Sequence, residues 1–313
     1  MSTATRDLKN DIDKIMPGVI ADRRYLHQHP ELGFEEFETA KLVTERLESM
    51  GVEDIRTGIA VTGVTGLIKG TRKGGPERVV LVRADMDALP ILEENEVDYR
   101  SQVDGKMHAC GHDAHTSMLL GVGRLLLDRR DEFSGTVKLL FQPAEEGGGG
   151  ARVMIDEGVL EDPAVDLVFG QHVVADLPVG KIEMRPGPCM AAADRFDILI
   201  KGKGGHGAQP HLTIDPIAVG AQIVTALQTI VAREVDPTKE AVVTVGAFLA
   251  GDASNVIPDT ATLRGTLRSF DPEVRKVLGR RVGEIATGIA HAMRAEVTYT
   301  YQPGYPATIN DPE

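Results

Sequence analysis

Arg78-Val-Val-Leu-Val-Arg-Ala-Asp-Met-Asp-Ala-Leu-Pro90 is the stretch that decides the fold. Val79-Val80-Leu81-Val82 is a continuous apolar run with no polar face, as a strand buried on both sides requires. Asp85 and Asp87 follow at once, and strand alternation puts them on one side. Carboxylates in that position suit an α/β sheet, where ligands bind beyond the carboxyl ends of the strands. There they can orient metal-holding histidines, or they can cap a turn.

The flanks repeat the unit. Glu36–Met50 carries Phe37, Ala40, Leu42, Val43, Leu47 and Met50 near a period of 3.6, with Gly51 as a stop. Asp113 is placed to cap a helix running to about Arg130. Val137–Phe141 and Asp166–Gln171 read as strands, with a short helix over Ala151–Glu157 between them. Helices between apolar strands predict a mixed, mostly parallel sheet flanked by helices over residues 1–186.

The pattern changes after Arg185-Pro-Gly-Pro188. Phe196, Ile198 and Ile200 alternate with polar neighbours, as do Ala261, Leu263, Gly265 and Leu267, so these strands keep one wet face. Asp215-Pro216 and Asp271-Pro272 each read as an acidic cap followed by proline in the first turn of a helix. The order strand, helix, strand, strand, helix, strand predicts a ferredoxin-like βαββαβ domain over residues 187–300. Residues 301–313 are then expected to return to the first domain.

Length and charge narrow the function. The chain has 313 residues, about two domains at roughly 150 each. Its 34 Lys and Arg stand against 47 Asp and Glu, a net −13, which excludes a general nucleic-acid or anionic-membrane binder. Met1–Asn10 is polar with no apolar core, and no apolar run reaches about 18 residues. With two cysteines and no disulfide framework, a cytosolic globular protein is expected.

Histidine is unevenly spread. Three of the nine, His108, His112 and His115, fall in Lys106-Met-His-Ala-Cys-Gly-His-Asp-Ala-His-Thr116 together with Cys110. Cys110 and His112 stand on a glycine-containing loop before a helix, where both can converge on one ion, and the helix start favours a thiolate. Phe141-Gln-Pro-Ala-Glu-Glu-Gly-Gly-Gly-Gly150 offers two adjacent carboxylates at a strand end, one to hold metal and one to move protons. A solvated acidic turn is the plainer reading of that segment alone. Phe169-Gly-Gln-His172 adds a strand-end histidine.

Other motifs fail. Gly202-Lys-Gly-Gly-His-Gly207 matches G-x-G-x-x-G, but no helix starts inside it, so a dinucleotide site is excluded. There is no G-x-S-x-G, no H-E-x-x-H and no Walker lysine. Cys189 reads as a small packed residue.

In combination, His27-Gln-His-Pro-Glu-Leu-Gly-Phe34, Asp85-Met-Asp-Ala-Leu-Pro90, His108–Thr116, Gln142-Pro-Ala-Glu-Glu-Gly-Gly148, Gly204-Gly-His-Gly-Ala-Gln-Pro-His211 and Asn255-Val-Ile-Pro258 resemble the metal-dependent N-acyl amino acid amidohydrolases. These include hippurate and indole-acetyl amino acid hydrolases, and are kin to aminoacylases and zinc carboxypeptidases. The resemblance implies a zinc-peptidase-like catalytic domain carrying an inserted ferredoxin-like lid, which also makes a homodimer or higher homo-oligomer. It implies two divalent ions, zinc or manganese, with cobalt or nickel also admitted. Cys110, His112, Glu146 and His172 are implied as ligands, Cys110 bridging. Glu145 is implied as general base, and His206 and Asn255 as residues contacting a small N-acyl amino acid.

The family pattern also has a histidine ligand near the C-terminus. This sequence stops at Tyr305–Glu313 without it, and His291 falls in a helix of the second domain. A truncated catalytic domain is therefore expected, and with it the alternative of a relative that binds metal or ligand without turnover. A further alternative is a metal-independent amidase with Cys110 as nucleophile and one of His108, His112 or His115 as base.

Overall fold

Residues 3–312 are described by the structure, a computed structural model. Met1 and Ser2, which begin the polar stretch Met1–Asn10, lie outside the described residues, as does Glu313. The chain divides into two units, Met1–Val179 and Gly180–Glu313.

The first unit opens with α1 (Thr3–Gln28) and α2 (Phe37–Met50). α2 buries Val43 and Leu47, as its spacing predicts, and Gly51 ends it at φ 81°, its amide bonded back to the Glu48 carbonyl. Next comes a hairpin of β1 (Glu53–Ile59) and β2 (Gly63–Lys69). The apolar pattern does not announce β1, because this edge strand has no buried residue. The unit continues with β3 (Val79–Asp85), α3 (His112–Asp128), β4 (Thr136–Gln142), α4 (Gly150–Asp156) and β5 (Leu167–Gly170).

The strand order is β1-β2-β4-β3-β5. β3 runs parallel to β4 and β5, while β2 is antiparallel to β1 and β4, so the sheet is mixed and flanked by helices. Val43, Leu47, Val64, Ile68, Leu119, Leu139 and Phe141 form one core cluster, and Leu81, Leu140, Met154 and Val159 another. Each fully buried side chain of this kind contributes about 1.5–3 kcal/mol. The register pairs Asp85 with Gln142 and Arg83 with Gly170, so the carboxyl ends of β3, β4 and β5 lie side by side.

Asp113 does not cap α3. The cap position falls on Gly111 (φ 85°), and Asp113 lies inside the first turn with its carboxylate buried. His27 Nδ1 at 2.7 Å and Arg23 Nε at 2.9 Å take that carboxylate. The helix also ends at Asp128, and Arg130–Glu132 forms a separate 3-10 turn.

The second unit contains β6 (Gly187–Met190), β7 (Ala192–Lys201), β8 (Gly205–His206), α5 (Pro216–Thr229), β9 (Ala241–Leu249), β10 (Val256–Ile257), β11 (Thr260–Ser269), α6 (Pro272–Ala292), β12 (Glu296–Gln302) and β13 (Thr308–Asn310). Its main sheet is antiparallel in the order β12-β7-β11-β9, the ferredoxin-like arrangement. β6 pairs with β13 apart from it. Phe196, Ile198, Ile200, Leu263 and Leu267 point into a core closed by Ile223 and Leu227 of α5 and Leu278 and Val282 of α6. Asp215 and Asp271 cap these helices through Oδ1, each accepting two backbone amides. Two of the glycines inside α6 have a packing reason: a Cβ on Gly283 would lie 2.6 Å from the Tyr299 ring and one on Gly279 would lie 3.0 Å from the Tyr301 ring. Pro216–Glu234 is apolar enough to span a membrane by composition, but Val219, Ile223, Leu227 and Ile230 on it are core residues.

Candidate metal centre

Three strand ends and one helix start supply the cluster in the first unit. Asp85 closes β3 and Asp87 stands two residues on. Glu145 and Glu146 follow β4, His172 follows β5, and His112 is the first residue of α3. Gly111 makes the left-handed turn between Cys110 and His112.

The donor atoms converge. Cys110 Sγ lies 3.3 Å from His172 Nε2, and His112 Nε2 lies 3.8 Å from Glu146 Oε1. Cys110, His112 and His172 form one group whose ligand atoms all fall within 4.8 Å of one another, and His112, Glu145 and Glu146 form a second. Each ligand imidazole has its other nitrogen occupied. His112 Nδ1 donates to the Asp87 carbonyl at 2.8 Å, and His172 Nδ1 donates to the Val173 carbonyl at 2.6 Å. Both Nε2 atoms thereby keep a lone pair for a ligand.

The residues fit metal ions. His112 Nε2 and Glu146 Oε1 are buried and have no hydrogen-bond partner. A buried polar atom without a partner costs about 1–3 kcal/mol, and a cation facing both removes that cost. Thiolate, imidazole and carboxylate together suit zinc and its neighbours.

Asp85 and Asp87 both touch the cluster. Asp87 accepts the Glu145 amide on Oδ1 and the Glu146 amide on Oδ2, each at 2.9 Å, so it fixes the loop that carries both glutamates. Asp85 accepts from His115 Nδ1 at 2.6 Å and from Arg83 Nη1 at 2.7 Å. Burial alone would raise the Asp85 carboxyl, but His115, Arg83 and His112 hold it well below the usual carboxylate range. Burial and the neighbouring Glu146 raise Glu145. Burial, the hydrogen bond to Glu146 and the charges of Glu145 and Asp85 push the Cys110 thiol up to about 12. Burial, with the carboxylates, thus outweighs the helix start that was expected to favour a thiolate.

Arg83 had no assigned role in the sequence, and His115 entered only as one possible base of the cysteine alternative. For His115 the signal was present: three residues after His112, it shares a helix face with it. His108 is buried and belongs to none of the ligand groups; burial pushes its pKa down to about 4, so it stays neutral.

His206 and Asn255 lie in the second unit. β8 and β10 pair His206 with Val256, and the Gly207 amide donates to the Asn255 carbonyl at 2.8 Å, so the two residues are neighbours on one exposed ribbon. Cys189 is exposed, not packed, and both cysteines are free.

Residues 81–313 match the model of peptidase family M20/M25/M40. An N-acyl-L-amino acid amidohydrolase of Geobacillus stearothermophilus is 46% identical over 305 residues, covering 97% of this chain and 81% of the relative. The chain belongs to the M20 peptidase family. An N-acetylcysteine deacetylase of Bacillus subtilis is likewise 46% identical, over 92% of this chain and 75% of its own length. The crystal structure of a Bacillus subtilis protein described as a dinuclear metal-binding peptidase of the M20 family superimposes with a TM-score of 0.78 at 42% identity, covering 96% of this chain and 77% of that one. This M20 chain is accordingly a member of a hydrolase family acting on amide bonds, with an α/β fold matching solved members.

Proposed function

We propose that the protein hydrolyses the amide bond of N-acyl amino acids, releasing a carboxylic acid and a free amino acid. The observation that carries this reading is the meeting of Cys110, His112, Glu146 and His172 beside a second carboxylate, Glu145, with two buried donor atoms unpartnered. Cys110, His112, Glu146 and His172 would hold the divalent ions. When bound, such ions polarise a carbonyl and lower the pKa of water. Zinc suits the thiol best, and manganese, cobalt or nickel suit the remaining donors.

Glu145 takes a proton from the attacking water as its oxygen bonds to the amide carbon. It then gives that proton to the departing nitrogen as the C–N bond breaks. Asp87 keeps Glu145 in place through the backbone amide. His206 and Asn255 bind the substrate, a role supported by their adjacency on β8 and β10. His206 also stabilises the developing oxyanion. Residues 187–300 act as the homodimer surface that the resemblance implies. The two free cysteines support a reducing, cytoplasmic setting.

A metal-independent cysteine mechanism is disfavoured. A nucleophilic thiol needs a lowered pKa, and Cys110 stands among carboxylates that raise it.

The test is Glu145→Gln, assayed on a panel of acyl amino acids with metals removed and restored one at a time. The variant should keep its metal and lose about 10²–10⁴-fold in turnover. Parent-rate hydrolysis by a metal-loaded Glu145→Gln would remove Glu145 from the role of base.

A further inference from the structure

Three consecutive backbone amides, those of Ala144, Glu145 and Glu146, end on two buried carboxylates. Glu145 and Glu146 donate to Asp87, as described above. The Ala144 amide donates to Glu36 Oε1 at 2.8 Å. Glu36 is fully buried, and its Oε2 accepts from the Thr62 hydroxyl at 2.6 Å. Both its oxygens are thus committed, and Glu36 belongs to none of the metal-binding groups.

Ala144 needs such a hold. It sits at φ 49°, a left-handed conformation that side chains with a Cβ rarely adopt. The turn that aims Glu145 is therefore not the backbone's own preference. The segment around Glu36 also packs beneath it. A Cβ on Gly33 would lie 2.9 Å from Ala144 Cβ, and a Cβ on Gly148 would lie 2.5 Å from the Phe34 ring. The Ala88 amide donates to the Glu31 carbonyl at 2.7 Å, which ties the same segment to the strand end that carries Asp87.

We infer that Glu36 is a positioning residue: it holds Ala144 in its left-handed turn and so sets the direction of Glu145 toward the reacting water. The Glu31–Glu36 segment is the floor of that loop. The inference rests on the reading of Glu145 as general base. A base displaced by about 1 Å can lose on the order of 10²-fold in rate without a change in substrate binding.

The experiment compares Glu36→Ala, Glu36→Gln and Gly33→Ala in the metal-loaded full chain. It reads kcat and KM separately, metal content, and amide hydrogen exchange across residues 143–147. Glu36→Ala should lower kcat by about tenfold or more, with KM and metal content unchanged and exchange at Ala144 accelerated. Glu36→Gln should recover most of that loss, since an amide oxygen still accepts from Ala144 and its NH2 can donate to Thr62. Gly33→Ala tests the same turn without removing a buried group, and should lower kcat in the same way through the Ala144 contact. A folded Glu36→Ala with parent kcat and parent exchange overturns the inference. So does a Glu36→Ala that fails to fold beside a Gly33→Ala that works at the parent rate. If Glu145→Gln is active, the reading of the base falls separately, and exchange at Ala144 still reports whether Glu36 holds the turn.

Discussion

His112 Nε2 faces Glu146 Oε1 across 3.8 Å in the first unit, and both atoms are buried without a hydrogen-bond partner. Two such atoms make the metal-free fold less stable than its packing alone would make it.

Metal should therefore act as a stabilising ligand. At a free concentration about 100 times its Kd, an ion adds roughly 2.7 kcal/mol to the folded state. Chelation should lower the melting temperature by about 5 °C or more, and zinc should restore it. In His112→Ala the melting temperature should no longer respond to zinc. Calorimetry with and without chelator checks this; identical melting of the parent in both states would count against a metal centre.

Much of this arrangement was legible in the sequence. β3 was readable because Val79–Val82 is apolar on both sides, and the two βαββαβ helices because Asp215-Pro216 and Asp271-Pro272 act as caps by local chemistry alone. The candidate donors stood out because cysteine and histidine are scarce and three of the nine histidines share one window with Cys110, while the choice of ligands among them came from the family resemblance. β1 was not, since an exposed edge strand has no apolar rhythm. Asp113 misled because its partners, His27 and Arg23, are distant in sequence. Glu36 was invisible for the same reason: its acceptor role depends on an amide 108 positions away.

The second unit contains a buried charge whose worth depends on pH. Asp194 is buried; Arg275 Nε donates to its Oδ2 at 2.9 Å, the Tyr301 hydroxyl to the same oxygen at 2.6 Å, and the Gly304 amide to Oδ1 at 2.8 Å. Burial alone would raise its pKa, but Arg275, Tyr301 and Gly304 together hold it below the ordinary carboxylate value. A depressed folded-state pKa gives stability that is present above the unfolded value, near 4, and is lost as pH falls through the folded one. Asp194→Asn should cost about 3 kcal/mol at pH 7, because Arg275 keeps its charge without its partner. The gap between variant and parent should narrow below about pH 4. Denaturant melts at pH 7 and pH 3 measure it; a gap that is the same at both would show that the carboxylate's charge contributes nothing.

His115 completes a chain of contacts ending at a metal-ligand candidate. Arg83 donates to Asp85, His115 Nδ1 donates to Asp85 Oδ1, and the Val173 amide donates to His115 Nε2 at 2.9 Å. The Val173 carbonyl in turn accepts from His172 Nδ1. Both ring nitrogens of His115 are occupied, so it serves by holding the His172 loop in register and not by binding an ion itself. Removing such an outer partner typically weakens metal affinity by about 10–100-fold. His115→Ala should therefore bind zinc more weakly by that factor in competition with a chromophoric chelator, while Glu145→Gln, which leaves the His172 loop untouched, should bind close to the parent. Unchanged zinc affinity in His115→Ala would mean that His172 is held by its own backbone alone.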